Sequence, residues 1–531
     1  MAYEDHSLKA KFIDFGGSWN TKEEPQKIAG NETPDVLNTQ PVGRGAFGSR
    51  FGISQVGDNN AGVGAIKSLY NFARGSTETL IKSYDDTLEY LDSGTWTAIS
   101  GIPTYTAGLE FGFANDLTYV YGCNGTDNFF RWSGSGSITE YAGNPKGNIL
   151  IFFLRRLFVM GITATPTTVY YSVINDPVDF GGSGSGNFTL GEGGDPITGA
   201  SVFKLPSGET ALFIFKKSSR VFMINFDSSG NLSIQEVKRD TGAINHRSVV
   251  LVENDIMYID EAGNIQSMGF SENIANDIRV DPAARVLSRT TPDYTVTSAC
   301  GIYSKKRKML VYSMREYASS ANNVQLVYFS DPDLKCWRRW KGLNANQFAL
   351  YGGDIVWGSS TDYNVYKYDE SKFDDLDGNI HSYQATKDTE GLDQNGVPHV
   401  DRYKQIRFAI VRGFISTSAT MNITTLYDGN EDDEQTTSFE GTDDGTTDPS
   451  VSVAFGTQLF ARAVFGGGAA LNPTAFPMRE FLACVSLDGR SFLRARIIPE
   501  VDGAGTPYLI TSITLWMSLE EEEKLTQAQK I

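Results

Sequence analysis

Short apolar runs separated by glycine, asparagine and aspartate turns recur from Leu80 to Asp369. Each unit is a hydrophobic strand, a tight turn and a second strand that ends in an aromatic residue. It reads at residues 80–84 with 88–91 and 96–99, at 117–121 with 129–132, and at 157–160 with 169–172. Further copies lie at 211–215 with 221–224, 249–252 with 256–259, 309–312 with 325–329, and 354–357 with 364–368. Apolar runs of four to eight residues bounded by Gly, Asn, Asp or Ser are the signature of strands joined as hairpins.

A module of this size cannot bury its own apolar face, so repeated copies pack on one another in a ring or a stack. At roughly 40 to 45 residues per four-stranded blade, this region makes about seven blades. The chain therefore reads as all-β, a β-propeller of about seven blades with an additional C-terminal β-sandwich-like domain. Five regions follow: an extended Gly-rich lead-in over 1–60, the propeller over 61–375, a linker or exposed loop over 376–402, a second β domain over 403–517 and an acidic tail over 518–531. The second domain shows strands at 406–415, 421–427, 451–455, 492–498 and 508–517.

Composition narrows the class. With 531 residues, 40% of them hydrophobic, the chain can bury a large core. The four cysteines, at 123, 300, 336 and 484, have no paired metal spacing and are too few for a disulfide framework, so they read as buried thiols. The start, Met1-Ala-Tyr-Glu-Asp-His6, lacks the regions of a signal peptide. The longest apolar run, Ile149-Leu-Ile-Phe-Phe-Leu154, meets Arg155-Arg156 far short of a membrane span. A soluble protein made in the cytoplasm is expected.

The formal net charge is −18. Tight nucleic-acid binding displaces counterions with lysine and arginine, and this chain lacks that surplus. Acidity serves solubility, and it also permits a protein to surround DNA without holding it. That repulsion is short-ranged, screened within about 10 Å at 0.1 M salt.

Candidate chemistry is sparse. Gly43-Arg-Gly-Ala-Phe-Gly48 matches a dinucleotide fingerprint as a string, but a true one follows a strand and opens a helix, and its flanks read as loop. Asp374-Asp-Leu-Asp-Gly378 and Asp428-Gly-Asn-Glu-Asp-Asp-Glu434 lack the full calcium-loop order and read as solvated acidic loops. His6, His246, His381 and His399 are far apart. No catalytic residue, cofactor site or metal site is nominated. Tyr90-Leu-Asp-Ser-Gly-Thr-Trp96 approaches the repeated turn of propeller sialidases but lacks its serine, is one residue short and occurs once. Arg155, Arg156, Arg338 and Arg339 suit a sugar carboxylate on that reading, or anchor blades or subunits.

A set of phrases carries a resemblance. They are Phe15-Gly-Gly-Ser-Trp-Asn-Thr-Lys22, Pro25, Pro34-Asp-Val-Leu-Asn38 and Gly45-Ala-Phe-Gly-Ser-Arg-Phe-Gly52, followed by Leu157-Phe-Val-Met-Gly161 and Tyr170-Tyr-Ser-Val-Ile-Asn-Asp-Pro177-Val-Asp-Phe180. Pro196-Ile-Thr-Gly199, Ile214-Phe-Lys216 and Gly242-Ala-Ile-Asn-His-Arg-Ser248 complete the series. In this order, over roughly residues 10–430, the chain resembles the tail nozzle proteins of short-tailed bacteriophages, also called tail hub or stabilisation proteins.

The resemblance implies a non-enzymatic structural protein of the virion tail, made in the host cytoplasm and present as a hexameric ring below the portal and the adaptor, or head–tail connector. Such a ring extends the DNA channel, passes genomic DNA without tight binding, and docks a tail fibre or tailspike, with no membrane insertion. On this reading Asp428, Glu431, Asp432, Asp433 and Glu434 line the channel. Trp337, Arg338, Arg339 and Trp340 are subunit-interface anchors or, alternatively, propeller-core residues. Two other functions remain: a propeller that docks fibres or contacts the host envelope without lining a channel, and a sialidase-like propeller glycosidase.

Overall fold

The apolar runs form antiparallel sheets in the computed structural model, which describes residues 7–20, 24–43, 45–101, 103–191, 194–226, 231–269, 294–316, 319–331, 334–375, 378–389, 403–416, 419–428, 430–440, 451–459, 464–465, 469–470, 478–486, 491–503 and 507–519. Contacts divide the chain into two units. One comprises residues 1–53, 328–340 and 369–531, the other residues 54–327 and 341–368.

Seven sheets follow one another in chain order. The first is Ser68–Arg74, Thr77–Tyr84, Thr87–Asp92 and Thr95–Ala98; the second is Gly112–Asn115, Val120–Cys123, Phe129–Trp132 and Thr139–Tyr141. The third is Ile149–Phe153, Arg156–Met160, Thr168–Tyr171 and Gly186–Thr189, and the fourth Ile197–Lys204, Thr210–Lys216, Arg220–Phe226 and Leu232–Arg239. The fifth has three described strands, Val250–Val252, Asp255–Ile259 and Ile265–Ser267. The sixth is Tyr294–Ser304, Met309–Glu316, Val324–Phe329 and Cys336–Lys341. The seventh is Ala345–Tyr351, Asp354–Ser359 and Val365–Asp369, with Gly52–Val56 as its outermost strand.

The first strand of each sheet touches the first strand of the next, and Ala345–Tyr351 touches Ser68–Arg74. The series thus closes on itself, which is the architecture of a multi-blade β-propeller. A strand that precedes the first blade completes the last one, so the ring is fastened by residues from both ends of the series.

The second strand of a blade shows why its sequence is a continuous apolar run. In Thr210–Lys216, Leu212 and Ile214 join a cluster with Phe153, Phe158 and Met160 of the third blade, while Phe213 and Phe215 join one with Ile256 and Tyr258 of the fifth. Successive side chains point to opposite faces, and both faces are covered by neighbouring blades. Leu157 and Val159 face the second blade, and Phe158 and Met160 face the fourth, by the same alternation. Leu117, read as part of a strand, is instead 85% exposed at a turn. There the Asp116 carboxylate accepts the amides of Thr118 and Tyr119, and the strand begins only at Val120.

Among the described residues the other unit has two large sheets and a two-stranded pair, Val464–Phe465 with Ala469–Ala470. One has the order Thr39–Val42, Ala46–Ser49, Tyr508–Leu519, Lys404–Ser416, Met478–Ser486 and Val451–Leu459, with Ser7–Phe12 also paired to Tyr508–Leu519. The second runs Val36–Leu37, Gly378–Gln384, Ala495–Gly503, Thr420–Tyr427 and Asn430–Glu440. Leu8, Phe12, Phe47, Val411, Ile513 and Leu515 from the first share one core cluster with Met421, Ile423, Ile497 and Val501 from the second. Two facing sheets around a common core form a sandwich.

The lead-in and the C-terminal strands, separate regions in the sequence, build this sandwich together. Leu8 pairs with Met517 and Phe12 with Ile513. Part of the stretch expected as a linker over 376–402 is also a strand, Gly378–Gln384, hydrogen-bonded on both sides. Residues 376–377, 390–402 and the tail from 520 lie outside the described residues.

Candidate functional site

Trp337, Arg338 and Trp340 are 1%, 0% and 2% exposed, so they are not open anchors for another subunit. They hold the lead-in of their own chain. Arg338 Nη1 donates to the Gly17 carbonyl at 2.7 Å and to that of Trp337 at 3.0 Å, and its Nη2 donates to the Phe15 carbonyl at 2.9 Å. The Trp19 amide donates to the Trp337 carbonyl, and the Asn38 amide to that of Arg339. Arg339 reaches Asp35 Oδ1 at 2.7 Å and lies over the Trp19 ring, 5.1 Å from its centre. Trp340 Nε1 donates to the Thr39 carbonyl at 2.7 Å. A strand covered on both faces buries tryptophans three positions apart, whereas a half-exposed strand would turn one of them outward.

The acidic stretch at Asp428 is a turn followed by an edge strand, not a loop throughout. Asp428 has φ +52°, and its Oδ1 accepts the amides of Leu493 and Arg494 at 2.9 and 2.8 Å. This carboxylate is thus engaged in fixing its own turn. Asn430–Glu440 pairs with Thr420–Tyr427, and Glu434, opposite Leu426, is exposed. Charged residues on an edge strand discourage pairing with further strands. Glu431, Asp432 and Asp433 belong to this strand, but their side chains lie outside the described residues.

The remaining candidates resolve into structural roles. Gly43–Gly48 runs into the strand Ala46–Ser49, which pairs antiparallel with Thr39–Val42, so no helix follows it to hold a pyrophosphate. Asp374 and Asp375 pair antiparallel with Asn379 and Gly378, and Asp375 accepts Arg50 Nη1 at 2.8 Å. Arg156 Nη1 donates to the Ser172 carbonyl at 2.7 Å. Among the described residues no group of three or more His, Cys, Asp or Glu could hold a metal ion.

One feature of the propeller went unread in the sequence. Where the inner strands begin, at Ser68, Gly112, Ile149 and Ile197, side chains around the axis line a depression of about 490 Å³. Its walls include Phe111, Phe113, Ile162, Pro166 and Pro196. Arg247 Nη2 meets Glu110 Oε1 at 3.0 Å, and its Nη1 donates to the Asn346 carbonyl at 3.1 Å. His246 Nδ1 accepts the Ala200 amide at 3.3 Å. Burial, reinforced by the Arg247 charge, lowers the His246 pKa to about 4, so the imidazole is neutral at pH 7. These residues come in short groups from several blades that lie far apart in sequence, which no local motif reveals. The arrangement offers a recess with apolar walls and a charged rim, suited to binding.

No protein-family model matches the chain, and no curated protein matches it. Among solved structures it is similar to YCF48 bound to D1 peptide, with a TM-score of 0.38 and 10% identity over 60% of this chain and 97% of that one. It is also similar to BamB from Moraxella catarrhalis, at 0.36 and 12% over 62% and 96%. A third similarity is to BBS1N in complex with ARL6DN, at 0.38 and 10% over 61% and 98%. These scores add nothing to the fold already evident in the sheets.

Proposed function

We propose that this protein is a structural component of a phage tail, a nozzle or hub that assembles as a ring of six around the path of the genome and docks distal tail parts. The observation that carries this reading is the ordered series of phrases through residues 15–52 and onward to Ser248. Their residues occupy demanding positions. Phe15, Trp19, Phe47, Arg50 and Phe51 are all buried. A Cβ on Gly17 would lie 2.5 Å from the Asn31 carbonyl oxygen, and one on Gly52 would press into the Asp374 backbone. Positions of this kind tolerate few side chains, so matching phrases there support the reading more than shared composition does.

The charge suits the task. Six chains at −18 carry 6 × −18, or −108, before counterions condense. A passage with such walls repels a polyanion at short range, and DNA slides through it instead of adhering. The adaptor above and a fibre or tailspike below complete the assembly on this reading.

Sedimentation velocity of the purified chain tests it. Six copies of the 58.2 kDa chain come to about 350 kDa, the mass expected at micromolar concentration. A single 58.2 kDa species at every concentration would remove the ring.

A further inference from the structure

Several polar groups around the axial depression are left without partners. Lys67 lines it half-buried, and among the described residues nothing accepts from its Nζ or pairs with its charge. The His246 imidazole is neutral at pH 7 and its Nδ1 accepts the Ala200 amide, so its one proton sits on Nε2. That Nε2 also has no acceptor among the described residues. Arg247 engages Asn346 and Glu110 through Nη1 and Nη2, while its buried Nε is unpartnered. The exposed side chains of Asn148 and Thr163 are free to donate or accept.

Charge points the same way. The lining holds two cations, Lys67 and Arg247, against one anion, Glu110, so it is net positive in a chain whose formal charge is −18. Glu110 is paired with Arg247 at 3.0 Å, which leaves the Lys67 ammonium uncompensated. Donors without acceptors in a recess favour a ligand that brings oxygens.

The rest of the lining is apolar and partly planar. The Phe111 and Phe113 rings are stacked, with centres 5.9 Å apart and planes at 21°, and Tyr70 stacks on Phe113 at 5.4 Å. Ile162 and Pro166 add aliphatic surface. A volume of about 490 Å³ lies within the range of small-molecule sites.

From the uncompensated ammonium and free donors beside an aromatic wall, we infer that the depression binds a small organic carboxylate with a ring-shaped apolar body. Lys67 supplies the opposite charge, His246 Nε2 and Asn148 supply hydrogen bonds to ligand oxygens, and the body lies along Phe111 and Phe113. The body is an aromatic ring or the carbon face of an acidic sugar. This site stands apart from the ring reading, because every group that carries it belongs to one propeller.

Isothermal titration calorimetry of the full chain tests the site with two pairs of probes: 2-naphthoate with 2-naphthamide, and glucuronate with glucuronamide. At least one acid should bind with a Kd at or below about 1 mM, and which one binds tells an aromatic body from a sugar. Its amide should bind at least about tenfold more weakly. Lys67→Met should weaken the acid about tenfold and leave the amide unchanged, Lys67→Arg should retain acid binding, and circular dichroism should show both variants folded. Ile162→Glu, which sets an anion in the wall, should abolish acid binding. The site is overturned if neither acid binds below about 10 mM, if acid and amide bind equally, or if Lys67→Met leaves the acid's affinity unchanged.

Discussion

Replacing Arg338 by alanine tests how the lead-in is held. The guanidinium is fully buried and donates to three backbone carbonyls, two of them, Phe15 and Gly17, more than 300 positions away in sequence. A hydrogen bond from a charged group contributes roughly 1.5–3 kcal/mol net, so losing the two distant ones costs about 3–6 kcal/mol. Removing a buried cation recovers part of its desolvation penalty, which lowers the net cost to about 3 kcal/mol. That corresponds to roughly a hundredfold increase in local opening. Native-state hydrogen exchange reads it at the amides of Gly17, Trp19 and Asn38, which donate to Asn31, Trp337 and Arg339. Their exchange should accelerate about a hundredfold, while Leu212 and Ile214 in the fourth blade should not change. Arg338→Lys should fall between, since an ammonium keeps the charge but not the planar fork. Acceleration under about threefold at all three amides would refute the tether.

Other outcomes follow from the same contacts. Asp375→Ala leaves the Arg50 guanidinium, 0% exposed, without its carboxylate, and chemical denaturation should show the sandwich unit destabilised by about 3–5 kcal/mol. His246, with a folded pKa of about 4 against an ordinary 6.5, contributes stability that is complete above pH 6.5 and is lost as pH falls toward 4. The loss reaches about 3 kcal/mol, and His246→Gln should flatten the propeller's unfolding midpoint across that window. Cys123, Cys300 and Cys336 are buried, and burial pushes the Cys300 thiol up to about 12. A thiol reagent should label none of the three until denaturant is added, and rapid labelling of any of them in the native protein would contradict their placement.

The propeller was legible because its middle strands are buried on both faces. Runs such as Ala211-Leu-Phe-Ile-Phe215 stand out in any reading of the chain. Inner strands are harder to see. Gly112–Asn115 is short and contains a glycine, and a Cβ at Gly112 would press into the Asn148 carbonyl of the next blade. Outer strands such as Gly186–Thr189 and Leu232–Arg239 have mostly exposed or half-exposed residues, so no apolar periodicity marks them. Gly52–Val56 was hidden because it belongs to the last blade yet precedes the first.

The sandwich was half legible for the same reason. Strand signals past residue 403 were visible, but the pairing of Ser7–Phe12 with Tyr508–Leu519 joins chain ends and leaves no local trace. Two aromatic residues flanking two arginines suggested either a subunit anchor or buried core residues, and the sequence alone did not separate the two. Trp337 and Trp340 are covered on opposite faces of one strand, and the arginines find carbonyls and Asp35 within their own unit. The acidic run at 428–434 suggested a loop because charge masked its alternation. Yet Thr424 Oγ1 meets Thr436 Oγ1 at 2.8 Å, and Ser438 donates to Asn422, contacts that hold Asn430–Glu440 as a strand.

Negative-stain electron microscopy of the purified full-length protein addresses the proposed assembly most directly. Class averages should show six-fold rings with an open centre. Isolated particles of a single chain, or closed rings without a central passage, would contradict the account.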